Sequence, residues 1–123
     1  MFDRLNGSFR GQSGWGIQGY FVQEGENNLF SGHFFVDENS NITYGGLVDD
    51  IGGWALILEG KHSEETGVLE FFKKYSHRPE EVDYTFKRRG DIFVGEFNIR
   101  NCRGEESNGE AFCEISRLFK GSI

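Results

Sequence analysis

Proline is almost missing from this sequence: Pro79 is the sole one. That excludes a polyproline linker or a collagen-like repeat and leaves long stretches free to pair as strands. Cysteine is nearly as scarce. Cys102 and Cys113 are too few for a disulfide framework, and no histidine stands near them at zinc-ligand spacing. A disulfide between them is geometrically conceivable across neighbouring strands, but reduced thiols are the expectation inside a cell. Long apolar runs are missing as well. The longest strongly apolar one, Trp54-Ala55-Leu56-Ile57-Leu58, is far shorter than a membrane-crossing helix needs. No stretch keeps an apolar 3.6-residue period long enough to predict a helix.

Basic charge is in deficit, with 13 Lys and Arg against 20 Asp and Glu, a formal charge of −7. A general nucleic-acid or anionic-membrane binder shows a net basic footprint, so neither partner is expected. The doublets Lys73-Lys74 and Arg88-Arg89 read as solvated strand edges. Met1-Phe2-Asp3-Arg4 does not open a basic region followed by an apolar core. No signal peptide is therefore expected, and the expected location is the cytoplasm.

Signatures of catalysis are also missing. There is no Gly-rich phosphate loop ending in Lys-Ser or Lys-Thr, no nucleophile elbow and no zinc pattern. His33, His62 and His77 are not spaced as a metal site or a triad, though distant residues can meet in a fold. The acidic doublets Asp49-Asp50, Glu64-Glu65, Glu80-Glu81 and Glu105-Glu106 recur at turn after turn and read as solubilising charge rather than acid–base pairs. Asp37-x-Asn39-x-Asn41 opens like a calcium loop. It then places Ile42 where glycine is required and Val48 where glutamate is, so a hairpin turn is the reading. No catalytic residue, metal or cofactor is assigned.

What the chain has in plenty is glycine (18) and aromatic residues (13 Phe, 4 Tyr, 2 Trp). They recur together in one phrase, apolar-x-Gly-x-aromatic: Leu5-x-Gly7-x-Phe9, Ile17-x-Gly19-x-Phe21, Phe30-x-Gly32-x-Phe34 and Phe93-x-Gly95-x-Phe97. Side chains alternate along a strand, so each phrase lies on one face, and its glycine permits a bend or a close backbone approach. At 123 residues the size prior is a single domain over 1–123.

Turn signals divide the chain into strands near 5–10, 17–24, 29–36, 42–49, 54–61, 67–75, 82–88, 92–99 and 109–117, with 11–16 read as a turn. About eight or nine strands of similar length joined by short turns predict an all-β, single antiparallel up-and-down barrel. A two-sheet β-sandwich is the alternative.

The run Val36-Asp37-Glu38-Asn39-Ser40-Asn41-Ile42-x-x-Gly45, then Val48-Asp49-Asp50-x-Gly52 and Leu58-x-Gly60, resembles the hairpin rhythm of avidin-like and other calycin-type barrels. Phe71-x-Lys73-x-Tyr75, Val82-x-Tyr84 and Phe93-x-Gly95-x-Phe97 continue it. The resemblance implies the barrel fold. Gly14-Trp15-Gly16 is not followed by the Asn and Ser positions of the avidin family's biotin pattern, so biotin binding is not implied.

Two faces follow. The face holding Phe9, Phe21, Phe34, Leu56, Phe71, Phe86 and Phe97 is expected to point inward. Tyr44, Trp54, Lys73, Tyr75, Tyr84 and Arg88 are expected to share it, and with Trp15 they form a candidate ligand site of aromatic walls and a few placed polar groups. The opposing possibility is that the Phe side chains fill the barrel and Lys73 and Arg88 reach its rim. The outward set Tyr20, Val22, Phe35, Leu47, Ile57, Phe72, Val94 and Phe112 is unusually apolar, with His33 beside it. It predicts self-association, with Tyr20, Phe35, Leu47, Phe72 and Val94 as interface candidates. Three functions are consistent with these residues. The first is a non-enzymatic binder of a small, partly apolar ligand. The second is a homo-oligomeric or protein-interaction module with a packed interior. The third is a small barrel enzyme.

Overall fold

The structure is a computed structural model that describes residues 12–50 and 52–120, with backbone alone for 119 and 120. The strand expected over 5–10, and Phe9 with it, lies outside the described residues. Eight strands follow in chain order: β1 (Ser13–Gln23), β2 (Glu26–Val36), β3 (Ile42–Asp49), β4 (Gly53–Ser63), β5 (Val68–Tyr75), β6 (Glu81–Arg89), β7 (Ile92–Arg100) and β8 (Glu106–Lys120). Each pairs antiparallel with the next, and β1 pairs with β8 to close the barrel. The eight later segments of the sequence reading all appear. The sandwich does not, because closure by β1 and β8 leaves no second sheet.

Gly14-Trp15-Gly16, expected in a turn, instead forms the start of β1. Trp15 is drawn inward there, its ring stacked 6.5 Å from that of Phe34. The Asp37 turn is built as its composition predicts. Asp37 Oδ1 accepts the backbone N–H groups of Asn39 (2.8 Å) and Asn41 (2.9 Å), which closes the β2–β3 connection locally.

The glycine phrase has a direct physical reading at Gly95. A Cβ there would collide with the carbonyl oxygen of Thr85 on β6, so the strands cross more closely than any side chain permits. The curvature gained in this way closes a barrel around side chains. Tyr84, Phe21, Phe34, Phe86, Phe97, Leu47, Leu69 and Val82 are all less than 2% exposed. Tyr84 sits at their centre, stacked on Phe86 at 5.7 Å with Phe71 at 4.9 Å and Phe30 at 5.5 Å.

Two bulges alter which face the side chains take. Phe35 pairs with Tyr44 but Val36 with Ile42, so an extra residue enters β3 at Thr43. Inward parity therefore passes from Ile42 to Leu47 and Asp49, all buried, and Tyr44 is turned outside. Leu47 is an interior residue, correcting its assignment to the interface. In β4, Ile57 pairs with Lys73 and Glu59 with Phe72, a second shift. Ala55, Ile57 and, beyond the shift, His62 are buried, while Trp54, Leu56 and Leu58 are exposed. Leu56 and Trp54 thus face out and Ile57 faces in, the reverse of the expected order. The run 54–58 is apolar at every position and carries no alternation to fix its phase.

Candidate functional site

The barrel has two ends. One carries the β2–β3, β4–β5 and β6–β7 turns, and the other carries the β1–β2, β3–β4, β5–β6 and β7–β8 turns. Near this second end β3 and β5 bring an acid and a base together inside the wall. Lys73 Nζ donates to Asp49 Oδ2 at 2.5 Å, and both side chains are fully buried. The Tyr75 hydroxyl donates to the same oxygen at 2.5 Å, and the Gly52 N–H to Oδ1 at 2.7 Å. Gly52 can sit there because it lies against the Tyr75 ring, where a Cβ would collide.

The ammonium is surrounded by rings, 4.9 Å from the centroid of Tyr75, 5.0 Å from Tyr84 and 5.4 Å from Phe21. Burial opposes charge on both partners. For Asp49 the Lys73 ammonium and the three donors outweigh burial and hold the carboxyl below its usual range. Burial lowers the Lys73 amine and raises the Tyr75 phenol, whose proton the Asp49 carboxylate also retains. The ion pair is thus enclosed within the barrel wall.

At the other end His62 enters the core, 4.7 Å edge-on to Trp15 and 6.0 Å from both Phe34 and Phe93. Its Nδ1 lies 3.4 Å from the Val68 carbonyl, and Nε2 is buried without a hydrogen-bond partner among the described residues. Burial pushes this imidazole below its usual pKa, and the nearby Arg88 and Arg117 add to the effect against the Val68 carbonyl and Glu64. Arg117 covers the Trp15 ring at 5.0 Å and pairs with Glu64, while Arg88 donates to the Glu64 carbonyl at 3.2 Å.

The seven residues expected to line one site are therefore distributed. Lys73, Tyr75 and Tyr84 form the buried cluster, Trp15 and Arg88 belong to the opposite end, and Tyr44 and Trp54 stand on the outer surface. Asp49 and His62 were missed as interior groups. Asp49 reads as one of several acidic doublets and His62 as part of a turn, and the bulges of β3 and β4 conceal the parity that would have placed both inside. The histidines do not converge: His62 is interior, His33 lies on the outer face beside Phe35 and Tyr44, and His77 is in the β5–β6 turn. Cys102 is exposed and Cys113 buried, both as free thiols. Burial pushes the Cys113 thiol up to about 12.

The outer wall is lopsided. From β1 to the β4 bulge, the outward positions Gln18, Tyr20, Leu29, Ser31, His33, Phe35, Tyr44, Val48, Trp54, Leu56 and Leu58 carry no formal charge. Six large hydrophobic ones among them are widely exposed: Leu29 (61%), Tyr44 (53%), Leu58 (52%), Val48 (47%), Trp54 (43%) and Leu56 (42%). Beyond β4, Glu70, Lys74, Asp83, Lys87, Glu96 and Glu110 occupy exposed positions of β5 to β8, Lys74 directly beside Leu56. Phe72 and Val94 lie on that charged side, paired with Asp83 and Lys87. Tyr20 and Phe35 lie on the apolar side, stacked on Phe112 at 5.1 Å and on Tyr44 at 5.8 Å.

An open groove of about 640 Å³ crosses β8, β1, β2 and β3 on the outer wall, with Tyr20, Leu29, Val48, Ile92 and Phe112 along it. A smaller recess of about 260 Å³ opens at the Asp49 end, against Tyr75, Arg78, Glu80 and Ile99. Among the described residues no group of three or more His, Cys, Asp and Glu is placed to hold a metal ion, and no helix is long and apolar enough to cross a membrane. No protein-family model matches the chain, and no curated protein matches its sequence.

Proposed function

We propose that this protein is a non-enzymatic interaction module: a calycin-like barrel, packed solid for rigidity, that works through the outer face of β1 to β4. The observation that carries the reading is the contiguous uncharged face of Leu29, Tyr44, Val48, Trp54, Leu56 and Leu58 beside a charged remainder. The exposed parts of those six side chains come to roughly 600 Å², the upper end for the largest apolar patch on a monomer. The apolar interior and the charged outer positions of β5 to β8 are the inverse of a membrane-spanning barrel, whose outer band is apolar all round.

Leu56→Asp on the outer face is expected to abolish association while leaving the melting transition within a few degrees. Tyr84→Phe in the interior is expected to leave association intact. Sedimentation and thermal denaturation of both variants test this; the opposite pattern would move the function inside the barrel.

A second reading, a binder of a small partly apolar ligand, draws on the 260 Å³ recess beside Tyr75, lined by the Arg78–Glu80 ion pair and the apolar Ile99. A discrete small added mass on the gently purified protein would favour it.

A further inference from the structure

The outer face carries both a projection and a depression. Along β4, Trp54, Leu56 and Leu58 form an exposed apolar ridge. Trp54 leans over Gly46, where a Cβ would meet its ring at 2.7 Å, so the ridge lies close against β3. The groove of about 640 Å³ begins one strand away, at Val48, the cross-strand partner of Trp54, and runs from there to the stacked pair Tyr20–Phe112. Ridge and groove therefore adjoin, near enough for one contact to cover both.

We propose that the partner is a second copy of this chain, joined by a two-fold axis that seats the β4 ridge of each copy in the β1–β2 groove of the other. This deepens the interaction reading and rests on it. Three observations favour a copy over an unrelated chain. The ridge and groove are complementary in kind and lie side by side, as a self-complementary two-fold contact requires. With the half-buried Tyr20, Phe35 and Phe112 added, the face approaches the ~800 Å² per partner of a standard interface. The charges also match: Asp50 and Glu114 line the groove and Lys74 stands beside Leu56 on the ridge, so ridge and groove meet with opposite charges. The axis then passes near His33 and Gly46, which pair with each other between ridge and groove.

The test is sedimentation and native mass measurement of the full chain at about 1–100 μM, alongside Leu56→Arg, Tyr20→Glu and an equimolar mixture of the two. The wild type is expected at twice 14.0 kDa, each variant alone as a folded monomer by circular dichroism, and the mixture as a restored dimer. Restoration is specific to the reciprocal geometry, because one variant's arginine ridge then meets the other's glutamate groove. A wild-type dimer that neither variant disturbs would overturn the proposal by placing the contact elsewhere. So would a wild-type monomer. If that monomer binds an apolar dye that Leu56→Arg no longer binds, the face serves a different partner and the interaction reading survives. If neither binds the dye, that reading fails as well.

Discussion

Lys73 shows what one residue is asked to do in this barrel. Its ammonium is fully buried, held by Asp49 and ringed by Phe21, Tyr75 and Tyr84. Removing one partner of such a pair strands the other charge in the core, a loss of about 3–5 kcal/mol. Lys73→Met is accordingly expected to destabilise by that amount in urea denaturation. The double change Lys73→Met with Asp49→Asn should cost clearly less than the sum of the singles.

His62 makes the second residue-scale prediction. Burial holds its folded-state pKa below the unfolded value of about 6.5. The unfolded chain therefore takes up more protons as the pH falls below that value, and stability declines with it. Stability should rise as the pH is raised toward 7, and His62→Phe, which keeps a ring against Trp15, should flatten that rise. The same slope in both proteins would show that another group sets it.

At the scale of the strand, alternation and turn chemistry made most of the architecture legible. The glycine–aromatic phrases of β1, β2 and β7, the Asp37 turn and the clean alternation of Val82, Tyr84 and Phe86 stand in the structure as read. Face assignment failed wherever a bulge shifted the phase. A single extra residue exchanges the two faces of a strand, and nothing in Ile42-Thr43-Tyr44 marks it, since Thr43 is an ordinary strand residue. The Trp54–Leu58 run failed for a different reason, because an apolar side chain at every position leaves both phases equally good.

The bulge also supplies a test. Deleting Thr43 would force either Ile42 or Leu47, with Asp49, out of the core, at ~1.5–3 kcal/mol for each buried aliphatic side chain. Thr43→Ala should cost little beyond its hydrogen bonds to Gln12 and the Phe35 carbonyl. Equal melting temperatures for the deletion and the alanine variant would show that β3 can slip.

On the scale of the whole molecule, the division of labour is between a filled interior and a divided exterior. Thirteen phenylalanines in 123 residues announced the filling. Which strands carried the exposed apolar face was not legible, because Tyr44, Trp54 and Leu56 were expected inside and Leu47 outside. The candidate site was thus read in its residue types and missed in its location. Asp49 was hidden among acidic doublets that read as solubilising charge, and its role depends on the β3 phase that the bulge sets.

The central claim is that this barrel binds through its wall and not in its interior. Native mass spectrometry of the gently purified full chain tests it most directly. A protein–protein complex that dissociates to a clean 14.0 kDa chain, and that Leu56→Asp prevents from forming, is the predicted result. A monomer carrying a small discrete mass, released only on unfolding and retained by Leu56→Asp, would contradict it.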